Sequence, residues 1–297
     1  MFAESISQIF VFTKIAIDRH ARLCIMRLEE SVLKRIECMR VIAVANNKGG
    51  VGKTTTAINL TAFLAKQKKK VLLIDADSQG HSKRSFKVST EDTPTLAELL
   101  VYDDVSFKDV IQPTCIRGVD IIPCDTTLSL AEMQLHQKKE KEYQLRTKLS
   151  GLEGYDYVIV DTTPTYTLLT TNVLVYCKEL LIPTKLEGFG IEGLNSFLDI
   201  IEETNKNVGS KVNHKIELLG LVINLFDLHT KASRTVYKQI KYAFEDKVFK
   251  TKIPRNVKID EAQIAGRLIT DYCPDCAGAK AYKNLAKEVI KREVVIV

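Results

Sequence analysis

The chain has 297 residues, 45% hydrophobic and 27% charged, with a formal net charge of +6 at pH 7. These values are ordinary for a soluble globular protein and suit one large α/β domain; no uninterrupted apolar run is long enough to span a bilayer. Seven cysteines, an odd number scattered along the chain, argue against a disulfide framework and for a reducing cytoplasm, while the positive balance permits an acidic partner without requiring one.

Residues 1–38 differ in character from the rest of the chain. Residues 6–17 are apolar-rich but lack the charged n-region and small-residue cleavage site of a secretory signal. Residues 22–36 fit a short amphipathic helix with Ile25, Leu28, Val32 and Ile36 on one face. The segment is either a helical extension for partner or DNA contact or a leader ahead of a true start at Met39, with one domain over 39–297. From Arg40 strand-like and helix-like segments alternate. Residues 41–45 read as a buried strand and 54–66 as a helix in which Ala57, Leu60 and Leu64 recur. Later strands are expected at 71–74, 119–122, 157–160, 179–182 and 218–223. Helices are expected at 191–204, 233–244 and 279–291, the last with Tyr282, Leu285, Ala286 and Val289 on one face. The lysine-rich stretch 137–142 reads as a solvated helix face. This alternation predicts an α/β fold: a doubly wound, mostly parallel sheet with helices on both faces.

Between the first strand and first helix stands Lys48-Gly-Gly-Val-Gly-Lys-Thr-Thr55. A glycine-rich turn in that setting lets the backbone N–H groups of Gly49, Gly50, Val51 and Gly52 close around phosphate oxygens at a helix N-terminus. Lys53 is expected to reach the β- and γ-phosphates, Thr54 to ligand Mg²⁺, and Thr55 to bond an α-phosphate oxygen. The loop has Asn47 where the usual pattern has its first glycine, and it carries a second lysine, Lys48, that packing does not explain. Mg²⁺ also needs carboxylates near its oxygen shell. Asp75 and Asp77 follow the second strand and Asp161 follows the strand at 157–160, all at the strand ends where doubly wound sheets bind ligands.

Taken together these motifs resemble the deviant Walker A family of ParA/MinD P-loop ATPases, specifically its ParA/Soj DNA-partitioning branch. Lys48 to Thr56 is similar to the deviant Walker A motif, Val71-Leu-Leu-Ile-Asp-Ala-Asp-Ser-Gln-Gly80 to the second switch motif, and Tyr155-Asp-Tyr-Val-Ile-Val-Asp161 to the Walker B strand. Ile253-Pro-Arg-Asn-Val257, Glu261-Ala262 and Gly278-Ala-Lys-Ala-Tyr282 match the C-terminal pattern, so the resemblance runs from about Met39 to Ile290. It implies an ATPase with ATP and Mg²⁺ as cofactors and specific residue roles. Lys48 corresponds to a signature lysine that reaches the partner subunit's nucleotide in an ATP sandwich dimer. Asp77 corresponds to the acid that positions the attacking water, Asp161 to the one holding Mg²⁺ through water, and Asp75 to a support of that network. Asn224 corresponds to an adenine-reading asparagine, with Pro254 and Asn256 near the same base. Three positions depart from the pattern: Asp77-Ser-Gln-Gly-His81 for Asp-Pro-Gln-Gly-Asn, Asp161-Thr-Thr-Pro164 for Asp-x-Pro-Pro, and Asn47 for glutamine. None removes a phosphate or metal ligand, and His81 reads as a solvated side chain rather than a base.

Between Asp227 and Arg267 ten Lys or Arg stand against five acids, a local excess of five positive charges. Arg234, Lys238 and Lys241 fall at i, i+4 and i+7 on one helical face, and with Lys250 and Arg267 they are the candidate DNA contacts for salt-sensitive, sequence-independent binding. The resemblance thus implies a cytoplasmic, DNA-associated partitioning ATPase that forms a homodimer on ATP and is stimulated by a ParB-type centromere-binding protein. A MinD-like membrane-cycling ATPase is the alternative. It needs a C-terminal membrane helix over 285–297, where Glu288 and Glu293 oppose anionic lipid, so no stable membrane association is expected. A nitrogenase-type iron–sulfur ATPase needs paired cysteines, and Cys115, Cys124 and Cys177 lack the glycine-rich context. Cys273-Pro-Asp-Cys276 has no second pair to complete a zinc site and reads as a reduced loop pair.

Overall fold

The computed structural model describes residues 39–187 and 190–292; the leader 1–38 and the apolar end 293–297 lie outside the described residues. Eight strands form one sheet: β1 (Arg40–Val44), β2 (Val71–Ala76), β3 (Gln112–Pro113), β4 (Val119–Ile122), β5 (Tyr157–Thr162), β6 (Glu179–Thr184), β7 (Glu217–Phe226) and β8 (Val248–Pro254). Their order is β3-β4-β2-β5-β1-β6-β7-β8. All pairings are parallel except that of β3 with β4. The central strands are buried along their whole length, which is why they read as continuous Val, Ile and Leu runs.

The chain leaves β1 toward β2 and β4 on one side, returns for β5, and then crosses to β6, β7 and β8 on the other. The C-terminal end of β1 is therefore the topological switch point, where open α/β sheets leave a crevice for ligands. Helix α1 (Lys53–Lys66) starts there. Ten of its fourteen residues are buried, because the sheet lies under one side and the last helix crosses the other. At the opposite end of β1, Arg40 pairs with Glu179 on β6 and donates to the Val289 carbonyl at 2.6 Å, which fixes the strand that carries the loop.

The helices that frame the site are α2 (His81–Phe86), α3 (Leu168–Tyr176), α4 (Gly190–Asn207), α5 (Lys231–Phe244), α6 (Val257–Ile264) and α7 (Ala277–Lys291). Thr230 caps α5 by accepting from Ser233 N at 3.0 Å, and only Val236 and Ile240 of that helix are buried. Helix α7 buries Tyr282, Leu285, Ala286 and Val289, the face expected from the sequence.

Several expectations need adjustment. Strands β2 and β5 run past their expected ends at 74 and 160, through Asp75 and Asp161, so both acids lie within the strands. Strand β8 was not expected; its lysines disguise an edge strand. The stretch 137–142 is not a helix face. It is a turn with Glu140 in the left-handed region, ending in a short 3₁₀ segment at Lys141–Tyr143, and Lys138 reaches Asp103 at 2.8 Å.

Candidate active site

Loop 45–52 joins β1 to α1 and is held from below. Asn46 Nδ2 donates to the Pro183 carbonyl at 2.8 Å, and its Oδ1 accepts from Lys48 N at 3.0 Å. Asn224, at the end of β7, donates from Nδ2 to Val51 O at 2.9 Å and to Thr56 Oγ1 at 3.0 Å. Gly52 caps α1 at φ 85°, and a Cβ there would sit 2.7 Å from Asn224 Nδ2. Glycine is therefore required at position 52 for both backbone angle and space. The Asn224 Oδ1 has no hydrogen-bond partner among the described residues. The residue is buried, and its amide nitrogen braces the loop. Pro254 ends β8 opposite Phe226, and the Asn256 side chain caps α6 by accepting from Lys258 N at 2.9 Å.

Lys53 opens α1 and is buried, with Nζ donating to the Lys48 carbonyl at 3.1 Å. Burial lowers its pKa, while Asp161 and Asp77 pull the other way. Behind it, Asp75 and Asp161 are register partners on β2 and β5, both fully buried. Asp75 accepts from Asp77 N at 3.2 Å on one oxygen and from Ser82 N at 3.1 Å on the other, which ties it to the segment after β2. Among the described residues neither oxygen of Asp161 has a hydrogen-bond partner. Burial and the neighbouring Asp75 carboxylate push Asp161 well above the usual carboxylate range, against the opposing pull of Thr54 and Lys53. An orphaned buried carboxylate beside a hydroxyl and a phosphate-type loop fits a hydrated divalent cation.

Asp77 lies just beyond β2, half-buried. Its Oδ1 accepts from Gln79 N at 3.1 Å, and its carbonyl accepts from Gly80 N and from the Cys124 thiol, each at 2.8 Å. Gly80 has φ 58°, and a Cβ there would lie 2.5 Å from the Cys124 carbonyl oxygen, so the turn after Asp77 is pressed against that backbone. Burial, then Asp75, pushes the Cys124 thiol up, which keeps it protonated as a donor. A cavity of about 740 Å³ is lined by Gly50, Lys53, Thr54, Thr55, Asp77 and His81 among others. Lys48 lines a different cleft, of about 350 Å³, shared with Lys185 and Glu192. Its Nζ lies 3.7 Å from Glu187, which also pairs with Lys185 at 3.7 Å.

The structure thus gathers the loop 49–55, Asp77 and Asp161 at one edge of the sheet and leaves Lys48 outside the cavity that Lys53 lines. Asn46, Glu187 and Gln263 have no role in the sequence reading, and Cys124 enters it only as an iron–sulfur candidate without the glycine-rich context. Only Gln263 had a signal, being next to Glu261-Ala262. Arg234, Lys238, Lys241 and Lys250 are exposed, although Arg234 is turned back onto the Leu228 carbonyl at 2.9 Å. Arg267 is exposed on another turn and stacks over Tyr272 at 5.5 Å. Cys273 and Cys276 are free thiols, and Cys276 Sγ accepts from Ala279 N at 3.5 Å as the cap of α7. Among the described residues no group of three metal-ligating side chains is present, and no helix is long and apolar enough to cross a membrane.

Residues 39–218 match the family described as an AAA domain. The chain is 38% identical over 259 residues to the chromosome partitioning protein ParA of Caulobacter vibrioides, covering 86% of this chain and 95% of that protein. The chain belongs to the ParA/Soj family of chromosome-partitioning ATPases. It is also 36% identical over 251 residues to the sporulation initiation inhibitor protein Soj of Bacillus subtilis, covering 84% of this chain and 98% of Soj. Among solved structures it resembles cobyrinic acid a,c-diamide synthase from Mycobacterium smegmatis with bound ATP analog and magnesium, at TM-score 0.71 and 31% identity over 84% of this chain and 93% of that one. As a ParA-type ATPase it has the doubly wound α/β fold expected from its alternating elements.

Proposed function

We propose that this partitioning ATPase works as an ATP-dependent sandwich dimer that binds DNA without sequence preference. Hydrolysis releases it, and a centromere-bound ParB-type protein accelerates that step. The observation that carries this reading is the division of the lysines: Lys53 folds over its own loop beside Asp161, whereas Lys48 lines a separate cleft. A cation not used by its own pocket is available to a second subunit.

In the triphosphate complex the N–H groups of 49–55 and the Lys53 ammonium hold the phosphates. Thr54 and, through water, Asp161 are the residues that would hold Mg²⁺, which when bound neutralises charge on phosphate oxygens. Asp77 orients the attacking water, and its carbonyl anchors to Gly80 and Cys124 keep it in place. Lys48 of a second subunit neutralises charge that develops in the transition state. The exposed cations of α5 and Lys250 attach the dimer to phosphates along DNA, and dimerisation multiplies that weak contact through avidity.

The membrane-cycling alternative draws less support. Leu285 and Val289 are buried in the core, so up to that point α7 has no apolar face left for lipid. A mobility shift with random-sequence DNA over a salt series, run beside co-sedimentation with anionic vesicles, tests the choice. ATP-dependent, salt-sensitive DNA binding that the double variant K238E/K241E loses supports partitioning. ATP-dependent vesicle binding without DNA binding contradicts it.

A further inference from the structure

The far side of the cavity beside the phosphate loop is formed by the end of α6, where Gln263 Nε2 donates to Thr55 Oγ1 at 2.7 Å. A threonine hydroxyl has one proton and two acceptor sites. The Gln263 amide takes up one acceptor site, and among the described residues no acceptor takes the Thr55 proton. Both side chains are half-buried and line the same cavity. Gln263 is not needed to hold its helix. Asn256 caps α6, and Ile259 packs so closely on Gly278 that a Cβ there would lie 2.7 Å from Ile259 Cδ1. Next in the chain, Ile264 O accepts from Arg84 on α2 at 2.8 Å, so the Gln263 backbone is fixed before any ligand arrives.

We propose that Gln263 is a positioning residue for the nucleotide: by donating to Thr55 it presets the threonine hydroxyl as a donor to an α-phosphate oxygen. This deepens the nucleotide-site reading above and rests on it. This amide orientation leaves the Thr55 hydroxyl proton free for a phosphate oxygen. The flipped amide would take the hydroxyl proton and turn oxygen lone pairs toward the phosphate. Holding the hydroxyl in advance removes an ordering cost from binding.

The test is calorimetric titration of the full-length protein with ADP and with ATP in the presence of Mg²⁺. Gln263→Met keeps the shape and loses the donor, and it should weaken both nucleotides about three-fold. Gln263→Glu turns the donor into a charged acceptor and should weaken both about ten-fold or more. In a T55V background, Q263M should cost nothing further, since the group it orients is gone. Wild-type affinity for Q263M, or losses that multiply in T55V/Q263M, overturns the inference, as does a loss confined to ATP. K53A separates the two levels. If K53A still binds ADP, the nucleotide site itself is misplaced; if K53A loses ADP while Q263M binds normally, only the role of Gln263 fails. Melting temperatures of each variant distinguish lost binding from lost folding.

Discussion

Asp75 and Asp161 face each other at the C-terminal ends of two adjacent parallel strands, and the fold treats their carboxylates in opposite ways. Each oxygen of Asp75 accepts an amide, from Asp77 and from Ser82, whereas neither oxygen of Asp161 has a hydrogen-bond partner among the described residues. Two buried acids side by side with one left unpaired destabilise the nucleotide-free protein, and that cost is retained where a cation is to be received. Asp161→Asn should therefore raise the stability of the nucleotide-free protein by about 1–2 kcal/mol while removing Mg²⁺-dependent ATP hydrolysis. Asp75→Asn should do the reverse, losing about 1–3 kcal/mol, because its amide nitrogen would confront one of the two N–H donors. Urea melts without nucleotide, run beside phosphate-release assays, read both. Equal destabilisation by the two variants would count against this division of labour.

Asn224 gives a second contrast. Its bonds to Val51 O and Thr56 Oγ1 make it a brace under the loop. Asn224→Ala should cost about 1–3 kcal/mol and weaken ATP and GTP in the same proportion. Asn224→Asp should be worse, since it sets a carboxylate against loop carbonyls. A variant of normal stability that binds GTP as well as ATP would instead support the adenine-reading role.

The pH dependence of stability has a local source at the sheet edge. Between Leu221↔Val248 and Ile223↔Lys252 the register of β8 slips, and the amides of Lys250 and Thr251 turn to the Glu288 carboxylate at 2.7 and 2.9 Å. Burial alone would raise the Glu288 pKa, but these amides and Arg292 outweigh it and hold the carboxyl below its ordinary value. A carboxyl depressed in the folded state adds stability above its unfolded pKa and loses that contribution as pH falls through the folded one. Glu288→Gln should thus be about 1–2 kcal/mol less stable than wild type at pH 7, with the gap closing below about pH 4. Denaturant titrations at both pH values check this; a gap unchanged on acidification would assign the loss to packing.

Much of this was legible in the chain. The loop announced itself because the glycines between a strand and a helix have no packing use, and the acids stood at the ends of apolar runs. What the sequence could not convey was which atoms are already spoken for. Asn224 and Asp75 have the residue types of ligand-facing groups, yet their bonds run to backbone that is distant or folded back, and no local pattern encodes that. Strand β8 was hidden because an edge strand needs only one apolar face, and Lys250 and Lys252 break its run. Gln263 and Cys124 reach the site across long sequence separations, through contacts that only the packed fold creates.

The central claim is that each subunit lends Lys48 to the other's nucleotide, and mixing two inactive variants tests it most directly. K48A lacks the lent lysine but keeps Asp77; D77A lacks the water-positioning acid but keeps Lys48. In an equimolar mixture half the dimers are mixed, and each mixed dimer has one complete pocket. ATPase activity should therefore rise from near zero for either variant alone to about one quarter of wild type. If the mixture stays as inactive as its parts, Lys48 serves its own subunit and the account of the paired active site is wrong.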